Sequence, residues 1–232
     1  MIIKKNYIPN FITSLNMLSG FTSIILTTSH QYQLAIMFIL IAAICDTLDG
    51  IFARLLKTSS NFGVQLDSLS DLVSFGVAPA YLVYFIKLNE FGIIGIIISG
   101  FFMLMGGFRL ARFNSQLVGF DKDYFVGVPI PSGAILLLSY LYNFYIKENY
   151  NFDNNITLAY TVLISLMMVS KLRYPTLPKF NKLTKRQKIF YSILSLLLLF
   201  IIIITNGKFV FYIFVSYLLY GIIFYLKGKI HV

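Results

Sequence analysis

Residues 42–56 read AAICDTLDGIFARLL and residues 63–76 read GVQLDSLSDLVSFG. Both stretches belong to apolar runs that reach the length of about 20 residues needed to cross a bilayer as a helix. Each nevertheless contains two aspartates: Asp46 and Asp49 in the first, Asp67 and Asp71 in the second. A carboxylate in the hydrocarbon region is strongly unfavourable unless it is paired or bound to a cation. The two stretches therefore predict membrane helices that carry a functional site.

The composition of the 232-residue chain is that of an integral membrane protein. Hydrophobic residues make up 58% of it and charged residues only 12%, whereas soluble domains contain about 25% charged residues. The single cysteine, Cys45, excludes an intrachain disulfide, and two histidines, His30 and His231, leave almost no room for histidine-centred catalysis or a zinc site. A general base is therefore expected to be a carboxylate.

The predicted fold class is all-α: a polytopic membrane helix bundle of about eight transmembrane helices. The apolar runs long enough to cross the membrane fall near residues 10–28, 32–56, 64–88, 91–113, 129–147, 155–172, 188–205 and 209–227. The first run is expected to be a retained helix rather than a signal peptide, because it contains polar residues and lacks a small-residue cleavage site. Placing the N- and C-termini in the cytoplasm leaves only Lys87, Lys147 and Lys208 of the 19 basic residues outside, as the positive-inside rule requires.

A basic connection divides the chain. Residues 173–187 contain two prolines and several lysines, and they are expected to form a cytoplasmic connection that either enforces the topology or docks on anionic lipid headgroups. Residues 1–172 hold every unusual polar residue of the membrane runs, whereas residues 188–232 are almost purely apolar and are expected to form two additional C-terminal transmembrane helices.

The four aspartates share helix faces with small residues. The faces carry Asp46, Asp49, Gly50 and Ala53 on one helix and Gly63, Asp67 and Asp71 on the next. Four facing carboxylates repel one another, and one or two divalent cations would relieve that repulsion. Oxygen ligands without cysteine or histidine favour Mg²⁺, Mn²⁺ or Ca²⁺. The small residues leave room for a bulky ligand or allow close helix packing.

The spacing Asp46-x2-Asp49-Gly50-x2-Ala53-Arg54-x8-Gly63-x3-Asp67-x3-Asp71 resembles the signature of the CDP-alcohol phosphotransferase family. The family's six-helix core would take in residues 1–172. The continuation SLSDLVSFGVAPA at 68–80, with FRLARFN at 108–114, GVPIPS at 127–132 and PNFITSLN at 9–16, is most similar to the integral-membrane phosphatidylserine synthases within that family.

The resemblance implies transfer of a phosphatidyl group from CDP-diacylglycerol to the hydroxyl of L-serine, with release of CMP. It implies two divalent ions, Mg²⁺ or Mn²⁺, held by Asp46, Asp49, Asp67 and Asp71. Asp71 would also accept the proton of the serine hydroxyl, as the catalytic residue. The resemblance and the polar face of the first helix together suggest that the CDP-lipid contacts Asn10, Thr13, Asn16, Asp49, Gly50, Ala53, Arg54, Ser60 and Gly63. Asn10 and Ser60 could instead simply cap helices, and Arg54 could be a membrane-interface arginine.

Serine carries a carboxylate, which guanidinium groups bind in a bidentate way. Arg109 and Arg112, at the cytoplasmic end of the fourth predicted helix, and the nearby Asn114 are therefore candidate serine-binding residues. The competing interpretation is that the two arginines only anchor the helix on the positive side of the membrane.

Other functions fit part of the pattern. A divalent-cation transporter would also need intramembrane carboxylates, although these are expected near the midplane and in related repeats. Within the family, glycerol 3-phosphate or inositol phosphate could be the acceptor, and a CDP-activated ether lipid could be the donor.

The expected partners are CDP-diacylglycerol, L-serine, membrane lipid and, in a homodimer, a second copy; no nucleic acid is expected. The expected location is a prokaryotic cell (inner) membrane, with the active site facing the cytoplasm.

Overall fold

The computed structural model describes residues 7–58, 60–115, 124–147, 153–175, 184, 186, 204–205 and 207–230. Seven helices run through these residues: α1 (Tyr7–Thr28), α2 (Tyr32–Leu56), α3 (Asn61–Ile86), α4 (Ile93–Ser115), α5 (Ile130–Ile146), α6 (Asn154–Val169) and α7 (Lys208–Ile230). A short 3₁₀ turn at Leu88–Phe91 joins α3 to α4.

The helix bundle agrees with the predicted class. In the described part of the chain, α1, α2, α3, α4 and residues Lys208–Tyr225 of α7 are long and apolar enough to cross a membrane, whereas α5 and α6 are shorter apolar helices. The predicted span at 188–205 lies almost entirely outside the described residues. The count of eight and the orientation of the termini therefore remain predictions.

Two short strands, which the sequence did not predict, accompany the helices. Strand β1 (Tyr124–Val126) pairs in antiparallel fashion with β2 (Arg173–Pro175), and Phe125 lies opposite Tyr174. The strands are three residues each, too short for a hydrophobic period to reveal. The start of the predicted connection 173–187 is therefore a strand that pairs with the segment before α5.

A stretch of π-helix interrupts α3 directly after Asp71. It covers Leu72–Val77, and the backbone N–H of Ala78 donates to the carbonyl of Val73, five residues back. Pro79 follows and has no N–H to donate to the carbonyl four residues before it, which accounts for a local departure from α-helical bonding. The wider turn changes the directions of the side chains that follow Asp71 relative to those before it.

Helix α1 packs tightly against α3 at the level of the aspartates. The hydroxyl of Ser74 donates to the backbone carbonyl of Asn16 at 2.9 Å, and a Cβ at Gly20 would lie 2.5 Å from Ser74 Oγ and 2.7 Å from Ser74 Cα. Contact with the backbone cannot be relieved by rotating a side chain. Gly20 is therefore required for the approach of the two helices.

Gly20→Ala should lower the stability of the fold by about 1–3 kcal/mol, because the added methyl forces α1 away from α3. The measurement is the midpoint of thermal unfolding in detergent. The control is Gly100→Ala on α4, where an added Cβ has no neighbour within 4 Å; that variant should be neutral or slightly more stable, since alanine favours helix. Equal midpoints for the two variants would contradict the packing argument.

Candidate active site

Three carboxylates from two helices meet at one point. Asp46 and Asp49 on α2 and Asp67 on α3 each offer an oxygen, and these three oxygens lie within 4.8 Å of one another. Asp49 is only 6% exposed. An all-oxygen donor set without histidine or cysteine matches the preference of Mg²⁺ and Mn²⁺. The residues therefore fit the divalent ions that the sequence resemblance implies.

Asp71 lies beside this group, one turn after Asp67. Its carboxyl group lies within electrostatic range of that of Asp46, and the Asn16 amide donates to Asp71 Oδ1 at 3.3 Å. Asp71 is 8% exposed and Asn16 is fully buried. Asn16 is predicted to contact the CDP-lipid; in the structure its amide nitrogen is directed at Asp71, and its oxygen has no hydrogen-bond partner among the described residues. The arrangement suits Asn16 to orienting the Asp71 carboxylate.

Thr13 supports the carboxylate group from α1. Its hydroxyl lies 2.6 Å from Asp49 Oδ2 and 3.0 Å from the backbone carbonyl of Pro9. A hydroxyl has one proton to donate, and the shorter contact, to a charged oxygen, is the stronger bond. Thr13 therefore holds Asp49 in its place in the three-carboxylate group. Neighbours that fix a ligand in this way commonly alter metal affinity by ten- to a hundredfold when removed.

Thr13→Val should raise the Mg²⁺ concentration needed for half-maximal activity by about tenfold, because valine keeps the shape but cannot hold Asp49. The measurement is activity as a function of free Mg²⁺. Thr22→Val is the matched control: Thr22 lies on the same helix, is exposed and donates to the backbone carbonyl of Leu18. An unchanged Mg²⁺ requirement in Thr13→Val would contradict the supporting role.

A cleft of about 130 Å³ opens next to the carboxylates, between α1 and the turn that joins α2 to α3. Its lining includes seven of the predicted CDP-lipid residues: Asn10, Thr13, Asp49, Gly50, Ala53, Ser60 and Gly63. Pro9, Thr58, Val64 and Asp67 complete it. The fold therefore brings these seven predicted residues to one cavity. Their contacts with a ligand remain predictions.

Two features keep this cleft open and polar. A Cβ at Gly63 would lie 3.2 Å from Ser60 Oγ and 3.3 Å from Asn10 Oδ1, so a larger residue would crowd the wall. Among the described residues Thr58 Oγ1 is buried without a hydrogen-bond partner, which makes it an available donor. Sequence reasoning missed it, because a threonine in a turn carries no distinguishing pattern.

Ser60 and Arg54 have local roles as well. Ser60 Oγ accepts a hydrogen bond from the Gly63 backbone N–H at 3.0 Å and so caps α3. Capping and lining the cleft are compatible, since a hydroxyl can donate while it accepts. Arg54 is exposed and does not line the cleft, but its guanidinium nitrogens lie 3.8 Å from the Cβ position of Gly50, at the cleft's edge.

The residues predicted to bind serine behave differently from one another. The Arg112 guanidinium donates to the carbonyls of Val169 at 2.9 Å and Val126 at 2.8 Å, and it lies close to those of Met168 and Ser170. It therefore joins the end of α6 to β1. The Asn114 amide donates to Ser68 Oγ on α3 at 2.7 Å. Arg109 is 7% exposed and lies within electrostatic range of Asp71.

Comparisons with known proteins identify the family of this chain. The family model described as CDP-alcohol phosphatidyltransferase matches residues 6–170. A protein of Helicobacter pylori named CDP-diacylglycerol–serine O-phosphatidyltransferase is 37% identical over 93% of this chain and 89% of its own length. One of the same name from Bacillus subtilis is 36% identical over 75% of this chain and 93% of its own length. An archaetidylserine synthase of Methanothermobacter thermautotrophicus is 37% identical over 72% of this chain and 69% of its own. This chain therefore belongs to the CDP-alcohol phosphatidyltransferase family.

Proposed function

We propose that this protein transfers the phosphatidyl group of CDP-diacylglycerol to the hydroxyl of L-serine, giving phosphatidylserine and CMP. The observation that carries the proposal is the three-carboxylate group of Asp46, Asp49 and Asp67 at the wall of the polar cleft. The names of the relatives support serine as the acceptor.

The cleft is suited to the nucleotide part of the donor. Asn10, Thr58 and Ser60 offer amide and hydroxyl groups along its wall, and Gly50 and Gly63 keep the backbone accessible. Arg54 at the edge would neutralise part of the diphosphate charge. Bound divalent ions, held by the aspartates of the cluster, would supply the remaining charge neutralisation at the reacting phosphates.

Asp71 is proposed to be the general base. The serine hydroxyl oxygen forms a bond to the phosphorus that carries the diacylglycerol, its proton passes to Asp71, and the bond to the CMP oxygen breaks. Asp71 is buried beside the three-carboxylate group, with Asn16 donating to one of its oxygens. A base in this position would reach a substrate hydroxyl directed at the cluster. Arg109, within electrostatic range of Asp71, would bind the serine carboxylate.

The membrane arrangement is proposed from the charges and the site together. We propose eight spans with both termini in the cytoplasm, in a prokaryotic cell membrane. This topology would place the cleft at the cytoplasmic side, because the positive charges of Arg54 and Lys57 lie at the C-terminal end of α2, next to the cleft, and that of Arg112 lies at the C-terminal end of α4. CDP-diacylglycerol could then enter sideways from the inner leaflet. A homodimer remains a prediction.

The donor and the acceptor each have an alternative. A CDP-activated ether lipid is favoured as a second donor by the relative named archaetidylserine synthase. Glycerol 3-phosphate and inositol phosphate are the alternative acceptors, and divalent-cation transport is the alternative class.

The test measures CMP released by purified protein from CDP-diacylglycerol in the presence of Mg²⁺. Serine, glycerol 3-phosphate and inositol phosphate are offered separately, and the ether-lipid donor is compared in parallel. Release that requires serine is expected. Release only with a phosphate-bearing acceptor would reassign the acceptor, and release with none, together with metal flux in proteoliposomes, would favour the transporter.

A further inference from the structure

Asn16 on α1 is bound by α3 at two points. Its side-chain amide donates to Asp71 Oδ1 at 3.3 Å, and its backbone carbonyl accepts from the hydroxyl of Ser74 at 2.9 Å. Asn16 and Ser74 are fully buried, and Asp71 is 8% exposed. The two bonds form a loop of contacts that leaves α3 at Ser74, crosses to Asn16 and returns to α3 at the proposed base.

The hydroxyl of Ser74 is directed at another helix. A serine within a helix can donate to the backbone carbonyl four residues before it. Ser70, one turn earlier on α3, does so: its hydroxyl donates to the carbonyl of Leu66 at 2.9 Å. A hydroxyl has one proton to donate, so Ser74 uses its proton on the backbone of α1. Ser70 and Ser74 are both fully buried, and they therefore differ in what they hold rather than in exposure.

The backbone around this loop is adapted to it on both helices. On α3, Asp71 ends the α-helical part, and Ser74 lies in the π-helical stretch Leu72–Val77. Such stretches are frequent at functional sites. On α1, a Cβ at Gly20, one turn after Asn16, would lie 2.5 Å from Ser74 Oγ. The missing side chain at Gly20 therefore gives the Ser74 hydroxyl access to the backbone of α1.

The Asn16 amide depends closely on where its backbone lies. N–H···O bonds usually measure about 2.7–3.2 Å, and a separation of roughly 3.6 Å is no longer a hydrogen bond. The bond to Asp71 measures 3.3 Å, so a small shift of α1 away from α3 would break it. The bond from Ser74 opposes such a shift, because it fixes the backbone from which the amide projects.

We propose that Ser74 is a positioning residue for the general base. By holding the backbone of Asn16, it aims the Asn16 amide at Asp71 Oδ1 and keeps the Asp71 carboxylate in the orientation that accepts the proton of the acceptor hydroxyl. This inference rests on the proposed function, in which Asp71 is the base. A base must lie within about 2.6–3.2 Å of the atom whose proton it removes, and a misplacement of about 1 Å can cost about a hundredfold in rate.

The other role for Asn16 is the predicted contact with the CDP-lipid, and the two roles differ in their kinetics. Loss of the orientation of the base affects the transition state, so it lowers kcat and leaves the KM values unchanged. Loss of a contact with the bound donor raises the KM for CDP-diacylglycerol and leaves kcat unchanged.

The first test is Ser74→Ala at saturating Mg²⁺. Its kcat should fall about tenfold or more, the usual effect of removing a neighbour that orients a site residue. The KM values for CDP-diacylglycerol and serine should not change. Ser70→Ala is the matched control, because it removes an equally buried hydroxyl that is bound within its own helix; its kcat should stay near that of the wild type.

The second test determines whether Ser74 acts through the Asn16 amide. Asn16→Ala removes the amide and keeps the backbone carbonyl that Ser74 holds. In that background, Ser74→Ala should have no further effect on kcat, whereas it should lower the thermal unfolding midpoint by the same amount as in the wild type. If Asn16→Ala does not fold, the first test decides alone through its control and the KM values.

The outcomes separate this inference from the proposed function. If Asp71→Asn is inactive but Ser74→Ala keeps the wild-type kcat, Ser74 does not position the base and the function stands. If Ser74→Ala lowers kcat equally in both backgrounds, or Ser70→Ala lowers it as much, Ser74 only packs α3 against α1. A rise in the KM for CDP-diacylglycerol in place of the fall in kcat would assign Asn16 to the donor instead. If the wild type releases no CMP, the function fails and this inference fails with it.

Discussion

Asp71→Asn is expected to reduce serine-dependent CMP release by a factor of about 10²–10⁴, the contribution of a positioned general base. Asparagine has nearly the same shape but cannot take up a proton at neutral pH. Asp71 accepts a hydrogen bond from Asn16 in a buried position, so water cannot readily replace it. The measurement is kcat under saturating donor and serine, with binding of CDP-diacylglycerol followed separately.

The control for Asp71→Asn is the same substitution at an acid outside the site. Asp153 is exposed, and its carboxylate accepts from the backbone N–H and the side-chain amide of Asn155, which holds the pKa of Asp153 below its usual value. Asparagine caps helices as well as aspartate does, so Asp153→Asn should keep full activity. A kcat for Asp71→Asn within tenfold of the wild type would show that another group takes the proton.

Removal of divalent ions is expected to stop the reaction completely. Asp46, Asp49 and Asp67 present oxygens within 4.8 Å of one another, a cluster that needs positive charge before a diphosphate can approach it. Excess chelator should abolish CMP release, and Mg²⁺ or Mn²⁺ should restore it. Full activity in excess chelator would contradict the metal site.

Metal binding can also be measured without turnover. A ligand that binds only the folded state raises its stability, so the unfolding midpoint of the wild type should increase with Mg²⁺ concentration. Asp49→Asn should lose both this increase and the activity. The protein should remain folded without metal, because the apolar core around Phe75, Leu82 and Ile39 does not depend on the cluster. An equal Mg²⁺ response in Asp49→Asn would exclude Asp49 as a ligand.

Most of the helical architecture is predictable because hydrophobic length is a local property. The predicted runs at 32–56 and 129–147 correspond closely to α2 (Tyr32–Leu56) and α5 (Ile130–Ile146). The short ribbon was missed because its pairing depends on contacts between segments nearly 50 residues apart, as between Phe125 and Tyr174.

The acidic site could be found from the sequence because, within each of two consecutive helices, its residues recur about once per helical turn and so share one face. The spacing of Asp46, Asp49 and Gly50 places them on one face before any tertiary contact is known. The spacing did not reveal how Asn16 would be used. On α1 it follows Thr13 by nearly one turn, yet Thr13 contacts Asp49 while Asn16 contacts Asp71.

The sequence by itself determined the all-helical membrane class, the acidic faces and the family, because hydrophobic length, helical spacing and a motif within one short stretch are local properties of the chain. Only the tertiary structure distinguished Arg109 from Arg112, because the two have the same chemistry and differ in their neighbours: within the described part of the chain, Arg112 is bound to backbone carbonyls and Arg109 is not. It alone also brought Asn16 to Asp71, since that hydrogen bond depends on how α1 packs against α3.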